Sequence, residues 1–248
     1  MSENIRIQIE ENEDRLLARL NRPETRNAID LALVAELHAL CDDLERNPRV
    51  LVITGSKEVF AAGADIYELR TRGPVEALQG INSRVFDRIS RLPMPTIAIV
   101  NGIAFGGGAE LAYACDIRIA TNDAKFGNPE INLGIMAAAG AVWRLRELVG
   151  LTMATEMLLT GRILSASEAF TYGLVSHLVA DDELMTLVDT VVKRINSADP
   201  LAVRITKVAL RAPVDAHPII DDMSQAVLFQ SPEKDRRMTE FLEKRGKK

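Results

Sequence analysis

The chain has 248 residues, 47% of them hydrophobic and 26% charged, enough for one large packed domain with at most a small appendage and too apolar for a disordered state. Lys and Arg number 30 against 35 Asp and Glu, a net charge of −5, so no broad positive field is available for nucleic acid or an anionic membrane. An anionic ligand must therefore be held locally.

Two cysteines, Cys41 and Cys115, make neither a disulfide framework nor a zinc cluster and read as reduced thiols of a cytoplasmic protein. The first six residues lack a secretory or transit pattern, and Gly246-Lys247-Lys248 is no peroxisomal address. No apolar run approaches the ~20 residues of a membrane span.

In chain order, Ile5, Ile7 and Ile9 alternate with polar residues, and the chain resumes over residues 15–20 after an acidic turn, predicting an opening strand pair. Asp30 is placed as a helix N-cap, with Leu33, Leu37, Leu40, Cys41 and Leu44 on one face and Asn47-Pro48 as the stop. Residues 50–54 and 96–100 are continuous apolar runs, as expected of strands covered on both faces, and put the chain in the α/β class. Beyond residue 181 only helical spacing remains: residues 184–195, 201–210, and two helices around Pro218 and Pro232. The expected organisation is a core over residues 1–181 and a helical region over 182–248, with the apolar face of Ile219, Ile220, Met223, Val227 and Phe229 packing on the chain itself or on another subunit.

An internal echo links residues 60–66 (FAAGADI) with residues 105–111 (FGGGAEL), 45 positions apart, and more loosely with residues 126–131 (FGNPEI). Each copy follows a strand-like run, so a superhelix of repeated strand, loop and helix units is favoured over a simple open sheet. The first two loops end in small residues just before a helix start, where unshielded backbone N–H groups bind oxyanions. Tight turns and close helix packing would also explain the glycines, and both readings stand at this point. The nucleotide-cradling patterns G-x-x-x-x-G-K-[ST] and G-x-G-x-x-G are absent. So are the nucleophile elbow G-x-S-x-G and H-E-x-x-H, and His38, His177 and His217 are scattered. The acid/base candidates beside the loops are carboxylates. Glu110 sits in the apolar stretch of residues 109–115 and Glu130 follows Pro129. Either alone reads as a solvated or capping acid, while together they can hold one water, repulsion and low polarity raising at least one pKa.

At these residues the chain resembles the enoyl-CoA hydratase/isomerase, or crotonase, superfamily. The resemblance runs nearly end to end: residues 21–28 (NRPETRNA), 60–66, 100–111, Cys115-Asp116, 126–134, 159–161, 166–169 with 173–175, and 241–244. It implies an α/β superhelix of strand-strand-helix units with a C-terminal helical appendage serving oligomerisation and covering the active site. Ala64 and Gly107 match oxyanion-hole N–H donors for the thioester carbonyl of an acyl-CoA substrate. Ala62, Asp65, Ile66 and Tyr67 fall in the segment lining the CoA site, and Phe241 and Lys244 match a stretch that reaches CoA in relatives. Glu110 and Glu130 match the paired glutamates of the hydratases, implying reversible hydration of a 2-enoyl-CoA, with Glu110 activating water and Glu130 delivering the α-proton. The resemblance calls for no metal and no cofactor beyond the CoA of the substrate, and implies a homotrimer or a dimer of trimers.

Three departures stand out: Ala137-Ala138-Ala139 where hydratases carry a Gly-rich run, Asn128 where a Gln often supports the first glutamate, and Met238-Thr239 in the last helix. The first two predict altered support for the glutamates; acyl length is expected to depend on residues 67–92, Met136 and Trp143. Alternatives are a Δ3-Δ2-enoyl-CoA isomerase using Glu130 alone, and a non-catalytic acyl-CoA- or RNA-binding relative. The acidic face of residues 30–46 argues against RNA.

Overall fold

The computed structural model describes residues 5–246; of the terminal segments read for targeting signals, residues 1–4, 247 and 248 lie outside the described residues. The described chain forms two compact units, one up to Val192 and one from Lys193 onward. Among the described residues no helix is long and apolar enough to cross a membrane.

The first unit opens with the antiparallel pair β1 (Ile7–Glu11) and β2 (Arg15–Leu20). Of the three alternating isoleucines only Ile7 is buried: Ile5 precedes the strand, and Ile9 lies on β1, an edge strand of its sheet. Helix α1 (Leu31–Arg46) starts where Asp30 accepts a hydrogen bond from Leu33 N at 2.8 Å, and it buries Leu33, Val34, Leu37, Leu40, Cys41 and Leu44. Next come β3 (Val50–Thr54), β4 (Val59–Ala61), α2 (Ile66–Thr71), α3 (Pro74–Gln79) and α4 (Ile81–Ser90). Then follow β5 (Thr96–Val100), β6 (Ile103–Phe105), α5 (Gly107–Ala114), β7 (Ile117–Thr121), β8 (Lys125–Gly127) and a 3₁₀ turn, Pro129–Leu133. The unit continues through α6 (Ala141–Thr160), β9 (Ile163–Ser165), α7 (Ala166–Thr171), β10 (His177–Val179) and the first turns of α8 (Leu184–Ser197).

Two sheets result, in the orders β1-β2-β3-β5-β7-β10 and β4-β6-β8-β9. Every pairing is parallel except β1 with β2 and β8 with β9. All five residues of β3 and of β5 are buried, as their unbroken apolar character requires. The echo is a structural repeat: β3-β4-α2, β5-β6-α5, and β7-β8 with the 3₁₀ turn each place one strand in the first sheet, one in the second, and a helical turn after it. Phe60 and Phe126 are wholly buried, each contributing about 1.5–3 kcal/mol of burial. The third unit keeps only a short turn, bounded by Pro129 and by Gly134 at φ 73°. Helix α6 is broken at Gly150 (φ 76°, ψ 160°), a break that the apolar spacing did not reveal.

In the second unit α8 ends, and α9 (Pro200–Leu210), α10 (Ile219–Phe229) and α11 (Pro232–Gly246) follow, beginning at Pro200, just after Pro218, and at Pro232, where proline suits a helix start. Asp199 caps α9 by accepting from Leu201 N at 3.1 Å, and α9 packs on α10. The α10 side chains Ile219, Met223, Val227 and Phe229 are all more than half exposed on the single chain.

Candidate active site

The loop after β4 is held from the segment of residues 21–28. Asn27, at φ 55°, donates from Nδ2 to Val59 O (3.2 Å) and Phe60 O (3.1 Å) and accepts from Arg22 N through Oδ1 (2.8 Å). Arg22 in turn donates to Ala28 O at 2.5 Å and pairs with Asp30 and Asp65 at 3.3 and 3.4 Å. Ile29 then bridges the loop in parallel, its N–H donating to Gly63 O (2.8 Å) and its carbonyl accepting from Asp65 N (2.9 Å). In an extended strand, successive backbone groups point to opposite sides. With residues 63 and 65 turned to Ile29, the N–H of Ala64 faces away from it, and no acceptor for that N–H exists among the described residues.

Opposite Ala64 stands the glycine triplet. Gly106 adopts φ 52°, which a bulkier residue would resist, while a Cβ on Gly108 would lie 2.1 Å from Ala61 O. Close packing of α5 on β4 therefore demands a glycine at 108. Gly107 is the first residue of α5, so its N–H has no partner within the helix. A Cβ built on Gly107 would lie 3.5 Å from Ala64 N, so two backbone donors without acceptors flank one small space at the positive end of a helix.

Glu110, one turn into α5, is only 3% exposed. Its Oε1 accepts from Ala139 N (2.7 Å) and Ala141 N (3.0 Å). Burial, reinforced by the charge of Glu130, pushes the carboxyl up to about 7, against the pull of the two amides and of Arg144. Glu130 is also raised, by burial first, with its own backbone N–H and the Asn128 amide opposing. Its Oε1 lies 3.1 Å from where a Gly106 Cβ would stand, and its Oε2 is buried without a hydrogen-bond partner. Tyr113 donates to Asn128 Oδ1 at 3.1 Å, and Asn128 Nδ2 reaches Gly106 O at 3.5 Å, tying the triplet to α5. The Ala137-Ala138-Ala139 departure leaves the support of Glu110 in place, because main-chain amides, which any side chain provides, make it.

Both donors and both carboxyls line one cavity of about 980 Å³, together with Ala62 and Ile66. Asp65 and Tyr67 stand outside its wall: Asp65 turns to Arg22 and to the N-terminus of α2, and Tyr67 is 83% exposed. Met136 lines the cavity and Trp143 does not. Phe241 and Lys244 are exposed on α11. The segment of residues 67–92 does contribute to the cavity wall, but the sequence did not single out Asn82 within it, nor the amides of Ala139 and Ala141. No local pattern announces either, since both depend on partners far along the chain. Chemically, such a cavity can polarise a carbonyl from one side and move protons from another.

A family model described as enoyl-CoA hydratase/isomerase matches residues 10–248. The crotonyl-CoA hydratase of Syntrophomonas wolfei is 38% identical over 248 residues, covering 96% of this chain and 95% of that protein. The 2,3-dehydroadipyl-CoA hydratase of Escherichia coli is 40% identical over 200 residues, covering 79% and 78%. The crystal structure of enoyl-CoA hydratase from Bacillus anthracis superimposes with a TM-score of 0.90 at 31% identity, covering 97% of both chains. With this sequence similarity, the two-sheet repeat and the cavity between its loops, the chain belongs to the enoyl-CoA hydratase/isomerase family, the crotonase superfamily, and supports the chemistry of that family.

Proposed function

We propose that the protein catalyses reversible hydration of a 2-enoyl-CoA to the 3-hydroxyacyl-CoA. The observation that carries this reading is the convergence, in one cavity, of two backbone N–H groups without acceptors and two carboxyls held above their ordinary range. Ala64 and Gly107 grip the thioester oxygen, each contributing about 3–4 kcal/mol as negative charge develops there. Glu110, anchored through Oε1, takes a proton from water as the water oxygen bonds to the β-carbon; Glu130 gives its proton to the α-carbon of the enolate. One turnover leaves the proton on Glu110 instead of Glu130, and exchange with solvent resets the pair. The acid/base pair supplies about 10²- to 10⁴-fold. Ala62 and Ile66 form the wall along the CoA arm, with Asp65 holding the loop from outside the cavity through Arg22 and Tyr67 standing exposed beside it.

The helical region from residue 182 on serves as oligomerisation surface and active-site cover in a homotrimer or dimer of trimers, a reading supported by the exposed apolar side chains of α10. The buried thiols Cys41 and Cys115 suit the cytoplasm.

The test is loss of enone absorbance when crotonyl-CoA is added, with Glu110→Gln alongside. Hydration predicts activity in the parent and a fall of at least about a hundredfold in the variant. A Δ3-Δ2-enoyl-CoA isomerase would spare Glu110→Gln when assayed with a 3-enoyl-CoA. A non-catalytic acyl-CoA- or RNA-binding protein would leave the enone untouched.

A further inference from the structure

Asn82 stands where its helix leads one to expect an apolar residue. Val85, Phe86 and Ile89 are the large buried side chains of α4, and residue 82 lies three, four and seven positions before them, on the same face. Gly80, at φ 61°, ends α3 and opens α4, and α4 packs against α5. That packing brings the Asn82 amide to the glycine triplet: Nδ2 lies 3.3 Å from where a Cβ on Gly107 would stand, the point that is 3.5 Å from Ala64 N. Oδ1 is buried and accepts no hydrogen bond. An unpaired buried amide oxygen weakens the fold, and with no protein donor fixing the amide, its NH₂ edge is free for a ligand in the cavity that Asn82 lines.

We propose that Asn82 is a third donor of the oxyanion hole, its side-chain amide joining the N–H groups of Ala64 and Gly107 on the thioester oxygen and strengthening its hold as that oxygen becomes an enolate. This rests on the reading of those two N–H groups as the thioester grip. Because the bond tightens in the charged state, Asn82 governs kcat more than KM.

Acetoacetyl-CoA, whose enolate absorbs in the near ultraviolet, separates the two readings without turnover. Parent enzyme is expected to raise the enolate fraction of bound acetoacetyl-CoA, and Asn82→Leu to lower it roughly tenfold or more, with kcat for crotonyl-CoA down roughly 10- to 100-fold and KM within about threefold. Asn82→Asp keeps the shape: its neutral carboxyl donates at low pH and its carboxylate repels the enolate, so kcat falls with rising pH where the parent's does not. If the parent produces no enolate signal, the thioester grip itself fails and the proposal with it. If the parent does and the folded variants match it in enolate fraction and pH profile, Asn82 is only a wall residue and the proposal is overturned.

Discussion

Glu110 illustrates how a single buried carboxyl ties stability to chemistry. Its pKa is raised from the ordinary carboxylate value to about 7, so the folded state binds its proton more tightly than the unfolded chain does. The resulting stability is fully present below the unfolded pKa and is lost as pH rises through about 7. At pH 8 the ionised form costs the fold about 3 kcal/mol. Glu110→Gln keeps an oxygen for Ala139 N and Ala141 N and removes the charge. Urea unfolding is therefore expected to find the variant more stable than the parent at pH 8 and nearly equal at pH 4.5; parallel profiles would show that the carboxyl is not strained. For catalysis the sign is opposite, because a base must be ionised: kcat/KM for hydration should fall as pH drops below about 7, and a flat profile from pH 5 to 8 would remove Glu110 from that role.

At the scale of elements, the site is two loops held from behind. Asn27 contributes two hydrogen bonds from the segment of residues 21–28 to β4, and a third within that segment from Arg22 N, at about 0.5–1.5 kcal/mol each. Asn27→Ala is expected to lower unfolding stability by about 2–4 kcal/mol and to lower kcat for hydration as Ala64 loses its orientation; a variant of unchanged stability would show that Ile29 and Arg22 suffice. The glycines separate by cause. Gly108→Ala drives a methyl into Ala61 O and should prevent a stable fold or cost more than about 3 kcal/mol, whereas at Gly134 nothing lies within 4 Å and only the φ of 73° resists, about 1 kcal/mol. Equal melting temperatures for the two variants would contradict the close approach of α5 to β4. The paired loops were legible in the sequence because each glycine-ended copy repeats with its phenylalanine. The wall was less so: Asp65 and Tyr67 share the matching segment, yet capping of α2 turns one to Arg22 and the other to solvent.

For the molecule as a whole, a strand, loop and helix repeat was readable from patterns that depend on neighbours in sequence, the buried runs of β3 and β5 and the echoed loops after them, as was the Asp30 cap of α1, whereas the second strand of each unit (β4, β6, β8) was expected only from the family resemblance. The anchoring of Glu110 by residues some thirty positions later and Asn82 beside Gly107 arise only when distant segments meet, so no window of sequence contains them, whereas the break at Gly150 is local to that glycine and its positive φ. The α10 face gives a test at the same scale. Met223, 67% exposed on the single chain, is expected to be covered in a homotrimer, so Met223→Glu should shift sedimentation from trimer or hexamer toward monomer. A parent that sediments as a monomer would contradict that expectation. The proposed hydration turns on two carboxyls acting on one water as a unit. Its most direct measurement is a double-mutant cycle of kcat for crotonyl-CoA hydration with Glu110→Gln, Glu130→Gln and the double variant. Each single change is expected to cost at least about a hundredfold and the second to add little to the first; independent, multiplying losses, or a single variant that retains the parent rate, would contradict paired action.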